Sequence, residues 1–379
     1  MNNMLFIKNA RILTEIGLID GSILCENGFI SAVGDIPAPQ DAETLDAKGL
    51  ILAPCFIDMH SHGAVNTDVN EGSAEGLLNI CRFYAAKGVG GWLCSILTDT
   101  EEQTLKCINA ALQAMEHPDG ANLMGIHLEG PFLSEKYAGA MPRHLLRQGD
   151  MALIERYQRA AKGKILTMTL APEVPGVTKI IPELSRMLTV CLGHSDASYH
   201  EAMAAIQAGA RCITHTFNAM RLFHHHEPGI MGAALESDVY CEAICDGLHL
   251  HPGTVSMLLK LKGAERIIPV TDSIMATGLP DGDYKLGVND IVVKNGDARL
   301  KDRDVRAGST LTADRALKNL MRFTGLALDK ALPMMSANPA KLLGIYEKRG
   351  QIAPGCRADF NLLDDEGNIC ATYILGSRV

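Results

Sequence analysis

The sequence of 379 residues contains no apolar stretch long enough to cross a membrane, so we expect no membrane-spanning segment. The opening residues, Met1-Asn-Asn-Met-Leu-Phe-Ile-Lys8, lack the basic flank, apolar block and cleavage site of a signal peptide. No long basic run is present, and the formal net charge is −9 at pH 7. An acidic chain of this kind is a poor match for nucleic acids or anionic membranes, so we expect neither as a partner.

Several common cofactor motifs are also missing. None of the 11 cysteines forms a Cys-x-x-Cys pair, and most lie in apolar runs, as Cys94 and Cys191 do. We therefore expect buried free thiols and a reducing, cytoplasmic location. There is no Walker loop, and the glycine cluster Gly88–Gly91 precedes a predicted strand instead of following one. That position does not suit a dinucleotide-binding loop.

The composition that is present suits a soluble globular protein with a large core, because 47% of the residues are hydrophobic and 21% are charged. Both ends of the chain read as short strands separated by turns, and neither end could bury a core alone. We predict that residues 1–50 and 345–379 pair as one small β-sandwich domain. Residues 51–344 would then form the main domain.

Short apolar strands alternate with helix-length segments through this main domain, which predicts an α/β fold. Eight such steps, closed into a ring, make a (β/α)8 TIM barrel. The predicted strands are Ile51–Ile57, Gly91–Ile96, Leu123–His127, Ile165–Leu170, Thr189–Leu192, Cys212–Thr214, Tyr240–Ile244 and Ile267–Val270. The predicted helices are Ala74–Ala86, Glu101–Met115, Met151–Ala161, Tyr199–Ala208 and Pro252–Leu261. The helix signal is poorest between the sixth and seventh strands, and residues 283–301 interrupt the last step with a strand-like excursion.

Histidines and carboxylates recur where the predicted strands end. His60 and His62 would point to the same face of an extended segment, where two imidazoles can hold a divalent transition metal. Taken singly, a histidine at a strand end is usually a core residue, and an aspartate there is usually a helix cap. The carboxyl ends of barrel strands meet at one mouth, however, so the whole set predicts a metal site. The other members are His127 and Glu129, His194, His215, Asp246 and His249, and Asp272.

These residues lie in motifs that resemble the amidohydrolase superfamily and, within it, the N-acetylglucosamine-6-phosphate deacetylases. The resemblance covers nearly the whole chain. The motifs are His60-x-His62, His127-Leu-Glu-Gly-Pro131, Gly193-His-Ser195, Thr214-His-Thr-Phe-Asn-Ala-Met220, Glu227-Pro-Gly229, Asp246-Gly-Leu-His249 and Val270-Thr-Asp-Ser273.

The resemblance implies that Glu129, His194 and His215 hold one divalent metal. It also implies that His60 and His62 hold a second, which Glu129 bridges. One or two ions per chain are expected, and nitrogen and oxygen ligands suit zinc or iron equally. Such a metal polarises an amide carbonyl and makes water a stronger nucleophile. Asp272 would take a proton from water and deliver it to the departing sugar amine, which gives acetate and an amino sugar.

Substrate contacts are implied in the same way. Asn218, Ala219 and His249 would line the phosphate of an amino-sugar phosphate, with the amide of Asn218 and the backbone N–H of Ala219 as donors. The backbone at Ala140-Met141 and at Arg306-Ala307-Gly308 would flank the sugar.

One position departs from the family pattern. Members commonly carry arginine just before Glu-Pro-Gly, where it reaches the phosphate of a neighbouring subunit, whereas this chain has His226. Histidine is neither a permanent charge nor a bidentate clamp, so His226 would bind phosphate only when protonated. N-Acetylgalactosamine-6-phosphate or an unphosphorylated N-acyl compound therefore remains open as the substrate. A homodimer is expected from the family.

Two other functions are considered. One is another amidohydrolase, such as a cyclic-amide hydrolase or a deaminase. Cyclic-amide relatives often use a carboxylated lysine at the end of strand four, but Lys164 precedes that strand, which ends in Ala171-Pro-Glu173. A non-catalytic scaffold on this fold need not keep its metal ligands, whereas this chain keeps every expected one together with Asp272. Bound metal in the purified protein would separate a metalloenzyme from a scaffold.

Overall fold

The computed structural model describes residues 4–379, in which the chain forms 21 strands and ten α-helices. The strands are β1 Met4–Thr14, β2 Gly17–Glu26, β3 Phe29–Gly34, β4 Glu43–Asp46, β5 Ile51–Pro54, β6 Phe56–Ser61, β7 Gly63–Ala64, β8 Thr67–Asp68, β9 Val89–Leu97, β10 Asn122–Glu129, β11 Ile165–Leu170, β12 Thr189–Leu192, β13 Cys212–Ile213, β14 Tyr240–Ala243, β15 Ile267–Pro269, β16 Gly282–Leu286, β17 Asn289–Lys294, β18 Asp297–Leu300, β19 Phe360–Leu363, β20 Ile369–Ile374 and β21 Ser377–Arg378. The helices are α1 Ala74–Ala85, α2 Glu101–Glu116, α3 Met151–Ala160, α4 Val177–Leu184, α5 Tyr199–Ala208, α6 Gly229–Glu236, α7 Pro252–Lys262, α8 Ala313–Thr324, α9 Leu328–Met335 and α10 Ala337–Leu342.

Strands from both ends of the chain form one sheet in the order β21-β20-β19-β5-β1-β2-β3, and β4 runs beside β1. Their apolar side chains enclose a core separate from that of the rest of the molecule, with Ile12, Ile23, Leu52 and Phe360 among its members. Neither terminal segment supplies enough strands for this core alone, which explains why the two segments pair.

The second large sheet contains eight parallel strands in the order β6-β9-β10-β11-β12-β13-β14-β15. The ring closes between the end of β6 and the residues that follow β15: the N–H of Asp272 donates to the carbonyl of His60 at 2.9 Å, and the N–H of His62 donates to the carbonyl of Ser273 at 2.8 Å. The predicted fold class, a (β/α)8 barrel with a small β domain built from the terminal segments, is confirmed.

The predicted strand Ile51–Ile57 is wrong as a single element. Its first half is β5, which pairs with β1 and β19 in the terminal sheet, and the barrel strand β6 begins at Phe56. The run is apolar throughout because both halves are buried, and an apolar pattern does not reveal which sheet a strand joins. His60 consequently lies inside β6, one residue before its end.

Each of the five predicted helices is present, with end points that differ by one residue at most. Helix α4 was not predicted, because its eight residues include Pro182 and no side chain caps its N-terminus. Helix α6, which fills the connection between the sixth and seventh strands, also has only eight residues. Its short length explains why the sequence shows only a weak helix pattern between these strands.

The excursion predicted at residues 283–301 is a three-stranded antiparallel sheet made of β16, β17 and β18. Its apolar face packs against residues from the barrel mouth, with Leu97, Met141 and Leu286 in the same buried cluster. The side-chain amide of Asn289 donates to the carbonyl of Ala140 at 2.8 Å. The insertion is therefore fixed to the loops that follow the barrel strands.

No helix within residues 4–379 is both long enough and apolar enough to span a bilayer.

Candidate metal centre and active-site cavity

The predicted ligands all lie at the carboxyl ends of barrel strands, and all are buried. His60 and Glu129 belong to β6 and β10, whereas His62, His194 and His215 lie one or two residues beyond β6, β12 and β13. Asp272 follows β15 and is 7% exposed. The barrel therefore brings side chains that are distant in sequence to one mouth.

The first potential metal group consists of His60, His62 and Glu129. The Nε2 atoms of the two histidines are 3.1 Å apart. Nε2 of His62 lies 3.1 Å from Oε2 of Glu129, and Nε2 of His60 lies 3.5 Å from Oε1. The potential ligand atoms of this group all lie within 4.8 Å of one another, which is close enough to share one cation.

The second potential metal group consists of Glu129, His194 and His215. Oε1 of Glu129 lies 3.1 Å from Nε2 of each of these histidines, and the two nitrogens are 3.0 Å apart. Glu129 belongs to both groups, and its two oxygens face different histidines. The structure thus has two adjoining sets of His and Glu side chains that could each hold a metal ion.

The outer ring nitrogens indicate which nitrogens are free to bind a metal. Nδ1 of His62 faces the carbonyl of Ser95 at 3.0 Å, and Nδ1 of His194 faces the carbonyl of Tyr137 at 2.8 Å. A carbonyl can only accept, so each Nδ1 carries a proton and each neutral ring presents an unprotonated Nε2 to the centre. Several lone pairs and a carboxylate then converge at distances that favour a cation between them. The nitrogen and oxygen donors fit a divalent transition metal.

Without a cation, the same crowding shifts the pKa values of these groups. Burial opposes ionisation of Glu129, but the surrounding histidines outweigh it and hold its pKa well below the usual value. Burial also disfavours a charged His62, but hydrogen bonds with Asp272 and Glu129 outweigh it and raise its pKa to about 9. For Asp272, burial is outweighed by the charge on His60 and by the His62 contact, which lower its pKa to about 2. The pKa of His60 is likewise raised well above the usual value, so protons occupy His60 and His62 when no metal is bound.

The backbone is strained at three of these residues. His194, His215 and Asp272 adopt φ angles of 48°, 28° and 48°, in the left-handed region that residues other than glycine rarely occupy. Next to Asp272, Gly308 has a φ of 60°, and a Cβ there would lie 2.3 Å from Cγ2 of Ile274 and 2.9 Å from the carbonyl oxygen of Asp272. Only glycine allows this close approach.

Four of the five potential metal ligands, His62, Glu129, His194 and His215, line a cavity of about 320 Å³ together with Asp272. Eight of the predicted substrate residues also line it. They are Ala140, Met141, Asn218, Ala219, His249, Arg306, Ala307 and Gly308. His226 does not line this cavity and is exposed on its loop.

Some of the predicted donors already have partners within the chain. The amide nitrogen of Asn218 donates to the carbonyls of His215 and Thr216 at 3.1 and 3.3 Å. The guanidinium of Arg306 is held away from a ligand by its ion pair with Asp297, in which Nε lies 2.9 Å from Oδ1. By contrast, the N–H of Ala219 donates to no acceptor within residues 4–379 and is therefore free for a ligand.

His249 is held by a neighbouring carboxylate. Nδ1 of its ring lies 2.7 Å from Oδ2 of Asp246, and the backbone N–H groups of Leu248 and His249 donate to Oδ1. Burial opposes the charge on Asp246, but these contacts outweigh it and lower its pKa below the usual value. The Asp246–His249 pair is therefore preorganised at the edge of the cavity.

His127, which precedes Glu129 by two residues, belongs to neither metal group. Its nitrogens contact the hydroxyls of Ser95 and Thr169 at 2.8 Å each, beneath the centre. Burial, followed by the charge on His60, holds its pKa well below the usual value. It is a neutral core histidine, which is the ordinary interpretation of a histidine at a strand end.

Sequence reasoning missed Glu242, a buried carboxylate in β14. Oε2 of Glu242 lies 3.0 Å from Nδ1 of His60 and accepts from the N–H of His215 at 3.1 Å. The sequence feature that could have identified Glu242 is its charge, which stands inside the otherwise apolar strand predicted at Tyr240–Ile244.

Comparisons with known proteins find relatives that match nearly the whole chain. Residues 51–379 match the amidohydrolase family. The chain is 34% identical to N-acetylglucosamine-6-phosphate deacetylase of Lysinibacillus sphaericus, over 95% of this chain and 94% of that protein. It is 33% identical to N-acetylgalactosamine-6-phosphate deacetylase of Escherichia coli O157:H7, over 98% of both. A solved structure of a mutant of the Mycobacterium smegmatis N-acetyl-D-glucosamine-6-phosphate deacetylase, in complex with N-acetyl-D-glucosamine-6-phosphate, superposes with a TM-score of 0.91 at 31% identity, covering 100% of this chain and 99% of that one. This chain is a member of the amidohydrolase family.

Proposed function

We propose that this protein hydrolyses the N-acetyl group of N-acetylglucosamine-6-phosphate, giving glucosamine-6-phosphate and acetate in amino-sugar catabolism. The observation that carries the proposal is the position of Asp272, whose Oδ1 lies 3.3 Å from Nε2 of His62 in the wall of the cavity. A carboxylate beside two adjoining ligand groups, in a cavity large enough for a sugar, suits hydrolysis of an amide bond. Relatives with this activity support the choice of substrate.

We assign one divalent metal to Glu129, His194 and His215 and a second to His60 and His62, with Glu129 shared. Zinc and iron both suit the donor set of imidazole and carboxylate. When bound, a divalent cation supplies a Lewis acid that polarises the amide carbonyl and makes water a stronger nucleophile.

Asp272 acts as the general base and then as the general acid. Its carboxylate takes a proton from water as the water oxygen attacks the acetyl carbonyl carbon. The same carboxyl group then gives that proton to the amide nitrogen as the C–N bond breaks, because an amine anion is too basic to leave. In the metal-free protein, His60 and His62 outweigh burial and lower the pKa of Asp272 to about 2, so its carboxylate is ionised there.

We assign the phosphate of the substrate to the free N–H of Ala219, to the side chain of Asn218 and to His249. The backbones of Ala140 and Met141, and of Arg306, Ala307 and Gly308, flank the sugar. Binding of phosphate by Asn218 requires its amide to exchange one of its two present carbonyl partners.

We also propose that the protein is a homodimer. His226 lies outside the cavity of its own chain and is exposed, as are its loop neighbours Leu222 at 79% and Phe223 at 55%. An exposed apolar loop of this kind is suited to contact with a second copy. His226 would then reach the phosphate in the neighbouring cavity.

A cytoplasmic location is supported by the cysteines, all of which are free thiols.

The deciding experiment compares kcat/KM for three sugars: N-acetylglucosamine-6-phosphate, its galacto epimer and unphosphorylated N-acetylglucosamine. The galacto epimer is the second candidate, because a relative with that activity matches this chain at nearly the same identity. Loss of a charged phosphate contact should lower kcat/KM roughly ten- to a hundredfold. Equal rates with and without the phosphate would reject the substrate class, and the ratio between the epimers decides which sugar is used.

A further inference from the structure

Glu242 contacts one histidine from each potential metal group. Its Oε2 lies 3.0 Å from Nδ1 of His60, in the first group, and 3.1 Å from the backbone nitrogen of His215, in the second. Its side chain is about as deeply buried as those it contacts, with 2% of its surface exposed and none of that of His60. A carboxylate at such depth requires partners that donate to it, and these two contacts supply them.

Glu242 is not placed to be a ligand itself. It approaches His60 from the Nδ1 side, whereas Nε2 on the opposite side of the ring faces His62 and Glu129. A carboxylate accepts a hydrogen bond and does not donate one when ionised, so the contact fixes the proton of His60 on Nδ1. In the neutral ring, this leaves Nε2 unprotonated toward the centre. The orientation of the ring is fixed by the same contact.

The second contact supports a strained backbone. His215 has a φ of 28°, and Glu242 accepts its N–H at the point where β13 gives way to the loop. Nδ1 of His215 has no hydrogen-bond partner within residues 4–379, so no hydrogen bond on the outer side of the ring orients it. The position of its Nε2 therefore depends on the backbone that Glu242 holds.

We propose that Glu242 is a positioning residue for both metal groups, which sets the tautomer of His60 and the backbone of His215. This inference rests on the proposed metal-dependent function. It predicts that loss of Glu242 weakens metal binding although no ligand is removed. The metal held by His60 is affected most, because the imidazole of His60 loses the carboxylate that accepts from its Nδ1.

The test measures zinc affinity by competition with a chromophoric chelator in the full-length protein and in three variants. Glu242→Ala should weaken zinc binding about 10- to 100-fold, as the loss of an outer hydrogen-bond partner does in other metal sites. Glu242→Gln keeps an oxygen acceptor and should retain most of the affinity. Cys241→Ala is the matched control, because it empties space in the same strand without a contact to any ligand.

Unchanged affinity in Glu242→Ala would overturn the proposal. So would an equal loss in Cys241→Ala, which would indicate general loosening of β14, or a loss in Glu242→Gln as large as that in Glu242→Ala. Should Glu242→Ala fail to fold, nitrogen NMR of the zinc-loaded unmodified protein, labelled at histidine, is decisive. We expect the His60 proton on Nδ1, assigned by its absence in His60→Gln, and a proton on Nε2 would overturn the proposal.

These readouts separate the inference from the function on which it rests. Zinc affinity and the His60 tautomer are measured without substrate. A protein that binds zinc as expected but releases no acetate would reject the proposed reaction and leave the role of Glu242 intact.

Discussion

Oδ1 of Asp272 lies 3.3 Å from Nε2 of His62, although the two residues follow the last and the first strands of the barrel. The contact exists because the barrel closes at this point, where the backbone N–H of Asp272 donates to the carbonyl of His60 in β6. The proton acceptor of the proposed reaction is therefore positioned by barrel closure itself.

Asp272→Asn should abolish most of the activity. An amide of the same shape cannot take the proton from water, and loss of a general base typically lowers kcat by about 10²- to 10⁴-fold. Acetate release and metal content are to be measured together, and metal content should be unchanged. Asp365→Asn, at a carboxylate that is 71% exposed, is the control and should keep full activity. Full activity in Asp272→Asn would refute the assigned role.

The double variant His60→Ala/His62→Ala should lose about one metal ion per chain, measured by elemental analysis. His194 and His215 remain in this variant and can still hold the other ion with Glu129. The double variant His224→Ala/His225→Ala makes the same chemical change on an exposed loop and should lose no metal. Unchanged metal content in the first variant would reject the two-metal assignment and leave deacetylation possible.

Metal affinity should rise as the pH is raised toward 9. In the metal-free protein the pKa of His62 is raised to about 9, so at pH 7 its imidazole is protonated and the metal must displace that proton. Each proton released changes the dissociation constant by about tenfold per pH unit below this pKa. Calorimetric titration with zinc, in buffers of different ionisation enthalpy, counts the protons. No proton release at pH 7 would contradict this prediction.

Gly308→Ala should lower both stability and activity. The φ of 60° alone costs about 1–2 kcal/mol for an L-residue, and the new methyl group would clash with Ile274 and with the carbonyl of Asp272. Gly325→Ala is a matched control, because its φ is 74° and nothing lies within 4 Å of the position of a Cβ. It should lose only the backbone contribution to the free energy of unfolding and should keep its acetate release. Equal losses in the two variants would refute the close approach at Asp272.

The sequence was enough to predict the potential metal ligands and Asp272, because the carboxyl ends of the strands of any parallel barrel meet at one mouth. The division of Ile51–Ile57 between two sheets could not be found, since burial makes both halves apolar. The role of Glu242 depends on which nitrogen of His60 it meets, and only the tertiary structure determines that.

Barrel closure also has a consequence for the order of events during synthesis. Each ligand group draws on strands that are distant in the chain, and the seam between β6 and the segment after β15 closes only when Asp272 is present. A partly synthesised chain thus has His60 and His62 without the partners that complete their site. Tight metal uptake should therefore follow folding of the whole barrel. Retention of metal would then report on the integrity of the entire domain.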